Sequence, residues 1–88
     1  MKLLNVGFGN SVNLDRVIAI ISIDSAPARR ILSHAKDNNM LIDATQGRKT
    51  HSLIIMDSDH IVSSYLKADT ILNRNENIDD EGSGIYGE

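Results

Sequence analysis

The sequence predicts an α+β domain: a small, mostly antiparallel sheet with one main helix packed on it and a short C-terminal helix. Three observations lead there. A continuous apolar run with β-branched bias covers Val17 to Ile21, Ser52 to Met56 reads as another apolar strand, and His60 to Leu66 returns as a strand beside it. Asp57-Ser58-Asp59 joins the last two as a tight turn of small polar residues, which makes 52–66 a β-hairpin. A helical apolar period is clearest over Ala28, Ile31, Leu32 and Ala35, spaced i, i+3, i+4 and i+7.

Taken in order, Leu3, Leu4 and Val6 suggest a first strand, stopped by Gly7-Phe8-Gly9-Asn10, residues that tolerate positive φ in a turn or bulge. Two glycines without a third, and without a helix behind them, do not make a nucleotide loop. Val17 to Ile21 is apolar without alternation, the pattern of a strand covered on both faces. One helix covers only one face, so the other needs a second sheet or a neighbouring subunit. Ser25 can cap the main helix and Pro27 fits its first turn, where the missing N–H would be unpaired anyway. Asp37-Asn38-Asn39 ends it, with asparagine suited to a left-handed cap. Met40-Leu41-Ile42 is a short strand, 43–51 an exposed connection to the next, and a helix from about Ala68 to Arg74 carries Ile71 and Leu72 back to the sheet.

The chain has 88 residues, enough for one small domain. With one Phe, two Tyr and no Trp, its core must come from aliphatic side chains, which bury less area apiece and make association a natural source of added stability. The absence of Cys excludes disulfides, thiolate metal sites and a cysteine nucleophile. The N-terminus lacks the apolar length of a signal peptide or membrane span, so a cytoplasmic location, without membrane contact, is the expectation. The net charge of -3 is unevenly spread. Residues 75–88 hold Glu76, Asp79, Asp80, Glu81 and Glu88 and no Lys or Arg, which leaves nine basic against seven acidic side chains in 1–74. The expectation is a mildly basic, oligomerising domain over 1–74 and an acidic, disordered tail over 75–88.

No serine or histidine stands on a recognisable nucleophile elbow, and a chain this short has little room for a water-excluding pocket, so no enzyme is expected. Asp57, Asp59 and His60 could be drawn as metal ligands, but their spacing is that of an ordinary hairpin turn; neither a metal nor another cofactor or small-molecule substrate is expected. Nucleic-acid binding is the better candidate. Arg16 precedes the apolar strand, and Arg48, Lys49 and His51 follow Gly47 in the connecting loop, where a tip is free to reach a groove. Guanidinium groups suit phosphates and guanine edges through their planar fork. Two or three charges bind DNA weakly, since affinity follows the number of phosphates neutralised. A homo-oligomer would repeat them along one face. Arg29, Arg30 and Lys36 are secondary candidates, with a solvated helix face or subunit salt bridges as the competing reading. From another class, a structural or protein-interaction module whose basic loop meets an acidic partner remains open.

The runs NVGFGNSVNLDRVIAI, SAPARRIL and MLIDATQGRKTHSLIIMDSDHIVSSYL, with IDDEG in the tail, resemble the RemA family of small bacterial regulators of extracellular matrix genes, over residues 2–84. The resemblance implies a nucleoid-associated regulator that binds double-stranded DNA, activates operons for biofilm matrix and assembles as a homo-oligomeric ring. The family's basic positions fall on Arg16 and on Arg48-Lys49. Where the family pattern reads Arg-Arg-Thr-Arg, this chain has Arg48-Lys49-Thr50-His51. Lysine keeps the phosphate attraction without the bidentate fork, and His51 is left to contribute at lower pH or as a hydrogen-bond donor. Asn39 stands where the family commonly has glycine.

Overall fold

A computed structural model describes residues 2–74; the acidic tail expected over 75–88 lies outside the described residues. The elements are β1 (Leu3–Gly7), β2 (Asn10–Asn13), a 3-10 turn (Leu14–Arg16), β3 (Val17–Ser22), α1 (Ala26–Asp37), β4 (Leu41–Asp43), β5 (Ser52–Met56) and β6 (Ile61–Ser64). Residues 68–74 are helical and are called α2. The α+β class, the main helix and the 52–66 hairpin are as the residue pattern predicts. The sheet is mostly antiparallel: β3, β5, β6 and β4 lie in that order, with β4 parallel to β6.

Each face of this sheet carries its own core. Because side chains alternate along a strand, β5 sends Ile54 and Met56 to one face and Leu53 and Ile55 to the other. The first face is roofed by the β1–β2 hairpin through Leu4 and Val6 and by α2 through Ile71. The second is roofed by α1 through Ala28, Ile31, Leu32 and Ala35. The second sheet foreseen as one option over Val17 to Ile21 is therefore the β1–β2 hairpin of the same chain. β2 itself escapes the residue pattern, since Asn10-Ser11-Val12-Asn13 has one apolar side chain, and it exists by pairing with β1.

The unbroken apolar run of β3 has a local cause. Register shifts between Val17 and Ala19, which oppose Met56 and Ile55, so Ile18 is the extra residue of a β-bulge. Val17 and Ile20 then reach the first core and Ile21 the second, whereas Ile18 is turned out and is 66% exposed. The Val17 to Ile21 run of the edge strand β3 is thus apolar throughout but not covered throughout. At the other edge, Ile42 of β4 is 51% exposed above a groove of about 230 Å³ lined by Val6, Val12, Ala44 and Val62.

The helix ends follow the expected chemistry. Ser25 Oγ accepts from the Ala28 N–H at 3.2 Å, and Asn39 sits at φ 58 beyond the helix end. α2 departs in one respect: Ile71 is fully buried, but Leu72 is 45% exposed. Leu72 lies about 100° round the helix from Ile71, and with Ile71 at the centre of the packed side it falls on the flank that faces out. Three buried serines tie the layers together. Ser64 Oγ donates to the Val6 carbonyl and Ser52 Oγ to the Leu66 carbonyl, each at 2.8 Å, while Ser63 Oγ donates to Asp43 at 3.1 Å.

Candidate nucleic-acid interface

The 43–51 connection is a clamped loop. Asp43 Oδ1 accepts from the Thr45 N–H at 2.9 Å and from the Thr45 hydroxyl at 2.6 Å, besides Ser63. These bonds, the Thr45 hydroxyl first, hold the Asp43 carboxyl below its ordinary value of 3.8 despite some desolvation. Thr45 is buried, and its carbonyl accepts from the Arg48 N–H at 3.0 Å across Gln46 (φ 54) and Gly47 (φ 81). Two successive left-handed residues make the tight reversal for which glycine is suited. Arg48 and Lys49 emerge from it exposed.

The far end of the loop is pinned as firmly. The His51 N–H donates to the Ser64 carbonyl at 2.8 Å, and its own carbonyl accepts from Ile23 at 3.0 Å. The His51 ring is half-buried, with Nδ1 donating to the Tyr65 carbonyl at 2.7 Å. A carbonyl can only accept, so that bond fixes the proton on Nδ1 and leaves Nε2 as the atom able to meet a ligand. His51 is thus as much a brace of the loop as a contact residue.

Two aromatic residues complete the cluster, and the sequence reading assigned neither to it. Phe8, at the tip of the β1–β2 hairpin, lies with its ring centroid 4.5 Å from that of Tyr65, tilted by 36°. The Arg48 guanidinium stands 5.9 Å from the Phe8 centroid, at the outer limit of a cation–π contact. Gly7 makes this approach possible: at φ 104, a Cβ there would lie 2.5 Å from the Tyr65 ring. The Gly7-Phe8-Gly9 spacing was the available signal, a bulky apolar residue between two residues of permissive backbone.

Arg16 is not part of this cluster. It closes the 3-10 turn before β3, where its Nε donates to both Asp57 oxygens at 3.2 Å and its carbonyl accepts from the Asp57 N–H at 2.9 Å. His51 and Asp57 flank β5 at opposite ends, six residues apart, which in extended chain is about 20 Å. The four basic candidates therefore form two places in one protomer: Arg48, Lys49 and His51 at one end of the sheet, Arg16 at the other. Of the secondary candidates, Arg29 donates to the Ile23 carbonyl at 3.4 Å, Arg30 borders a groove of about 700 Å³ beside α1, and Lys36 is exposed and lowers the Asp43 carboxyl by its charge.

Of the residues that could be drawn as metal ligands, Asp57 pairs with Arg16 and the His60 ring contacts Ser58 Oγ at 2.8 Å, while the Asp59 backbone N–H closes the turn on the Met56 carbonyl. Among the described residues no group of three His, Cys, Asp or Glu side chains is placed to hold a metal ion, and no helix is long and apolar enough to cross a membrane.

Comparison with known proteins adds a family to this geometry. The RemA-like family, described as Extracellular matrix regulatory protein A-like, matches residues 3–74. The chain is 47% identical over 87 residues to the Extracellular matrix regulatory protein A of Bacillus subtilis, covering 96% of this chain and 98% of that protein. It is 51% identical over 81 residues to a putative regulatory protein of Brevibacillus brevis, covering 92% and 94% respectively. A putative regulatory protein of Desulforamulus reducens is 53% identical over 74 residues, 84% of this chain and 82% of that one.

Proposed function

Because the chain belongs to the RemA-like family of extracellular matrix regulatory proteins, we propose that it is a double-stranded DNA-binding transcriptional regulator, an activator of extracellular matrix genes acting at the nucleoid. In this reading residues 1–74 form the assembling, DNA-binding domain and 75–88 a separate acidic segment. Arg48 and Lys49 meet phosphates directly, His51 braces their loop and offers Nε2, and Arg16 supplies a second contact about 20 Å away. The observation that carries the reading is the clamped loop. A loop pinned at both ends presents its cations without a large ordering cost on binding, which suits it to phosphate contact.

One protomer with two separated cationic places binds DNA weakly, so the reading includes a ring-like homo-oligomer. Opposite edges of the four-stranded sheet each expose an isoleucine, Ile18 on β3 and Ile42 on β4. Two different apolar edges are what a head-to-tail interface uses, and a head-to-tail interface that closes makes a ring. Copies of Arg16 and of Arg48-Lys49 then follow one another along a rim.

The test is a titration of a random duplex of about 30 base pairs across 50 to 200 mM salt, with the native mass measured alongside. The affinity should fall steeply with salt and rise with duplex length. Arg48→Ala should flatten the salt slope by about 0.9 per engaged protomer while leaving the mass unchanged. Binding insensitive to salt and duplex length would favour an acidic protein partner instead, and a lone protomer in solution would remove the rim altogether.

A further inference from the structure

Phe8 occupies a position that packing alone does not explain. It adopts φ 56 between Gly7 at φ 104 and Gly9 at φ 77, a left-handed conformation that is strained for a bulky side chain. Burial offsets the strain only in part, because the residue remains 43% exposed. The ring stands on Tyr65, and its support is rigid: the Val6 carbonyl accepts from the buried Ser64 hydroxyl at 2.8 Å, and the Gly7 N–H donates to Asn5 Oδ1 at 2.8 Å. Beside it stands the Arg48 guanidinium. An exposed apolar ring on a stiff hairpin tip, flanked by an arginine, is the pairing with which architectural proteins unstack a base step while a cation holds the neighbouring phosphate.

We infer that Phe8 is an apolar wedge that presses into a base step of the bound duplex from the minor groove, with Arg48 anchoring the adjacent phosphate. The inference rests on the DNA-binding reading above and adds to it a deformation of the DNA. Unstacking costs least at flexible pyrimidine–purine steps, so the wedge gives the protein a preference for duplexes carrying TA or CA steps without any hydrogen bond to a base edge. It also divides the labour between neighbours. Arg48 contributes the salt-dependent part of the affinity and Phe8 a part that salt does not screen.

The full chain, as wild type, Phe8→Ala, Phe8→Trp and Arg48→Ala, is titrated into a duplex of about 30 base pairs carrying 2-aminopurine beside a central TA step. Wild-type binding should raise the 2-aminopurine fluorescence as the step unstacks. Phe8→Ala should weaken binding by about tenfold or more, keep the wild-type salt slope, and abolish the fluorescence rise at saturation; Phe8→Trp should restore both. Arg48→Ala should flatten the salt slope and keep the rise once saturated. The inference is overturned if Phe8→Ala binds as wild type with the same rise, if it flattens the salt slope as Arg48→Ala does, which would make the ring a prop for the arginine, or if it changes the native mass, which would make it a subunit contact. A wild-type protein that ignores duplex DNA at low salt refutes the DNA-binding reading itself and the wedge with it.

Discussion

Replacing Asp57 by asparagine should tighten DNA binding at little cost to the fold. Arg16 and Asp57 form an ion pair with side chains 61% and 43% exposed. A pair this wet stabilises by between nothing and about 1 kcal/mol. Its loss should therefore lower the melting temperature by no more than about 4–8 °C. The consequence for DNA is of similar size per protomer but favourable, because the Asp57 carboxylate repels any phosphate that Arg16 approaches. At about 7 Å through water two unit charges repel by about 0.6 kcal/mol. Salt near 0.1 M about halves that. Each engaged protomer should then gain roughly 1.5- to 3-fold in affinity on Asp57→Asn, and a multi-subunit rim multiplies the gain. Fluorescence anisotropy across a salt series reads it, with thermal melting and sedimentation on the same samples. If the variant is folded and assembled yet binds DNA no better than wild type, or worse, then either Arg16 does not meet phosphate or Asp57 is what aims it there. Each result refutes the reasoning.

Ile18→Ser should leave the protomer's far-UV circular dichroism unchanged, because the side chain is already 66% exposed, and should shift sedimentation toward smaller species; an unchanged mass would exclude the β3 edge from assembly. Asp43→Asn should destabilise by less than about 1 kcal/mol at neutral pH, since it keeps one acceptor for Thr45 but loses the charge. The folded carboxyl lies below its ordinary 3.8, so its stabilisation is complete above that value and is lost as pH falls through the lower folded value. The gap between wild type and variant in denaturant titrations should accordingly close below about pH 4, and a gap that persists there would contradict the charge argument.

Much of the fold is legible in the residues because it depends on local chemistry. Ser25, Pro27 and Asn39 mark the ends of α1, the 28–35 stripe marks its buried side, and Asp57-Ser58-Asp59 marks the hairpin turn. What the residues leave out depends on partners distant in the chain. β2 has too few apolar side chains to declare itself and is a strand because β1 lies beside it. The exposure of Ile18 follows from a one-residue register slip against β5, and that of Leu72 from which side of α2 meets the sheet.

The candidate site divides along the same line. Composition and spacing by themselves determined that the loop after Gly47 is cationic, that Arg16 stands at the entry to an apolar strand, and that no thiol chemistry is available. Only the tertiary structure decided that Arg16 is paired with Asp57 and lies at the opposite end of β5 from Arg48, that His51 spends one ring nitrogen on Tyr65, and that Phe8 joins Arg48. Charge and side-chain type are properties of single residues. Which residues become neighbours is set by strand order and register, and these are chosen by the burial of both sheet faces together.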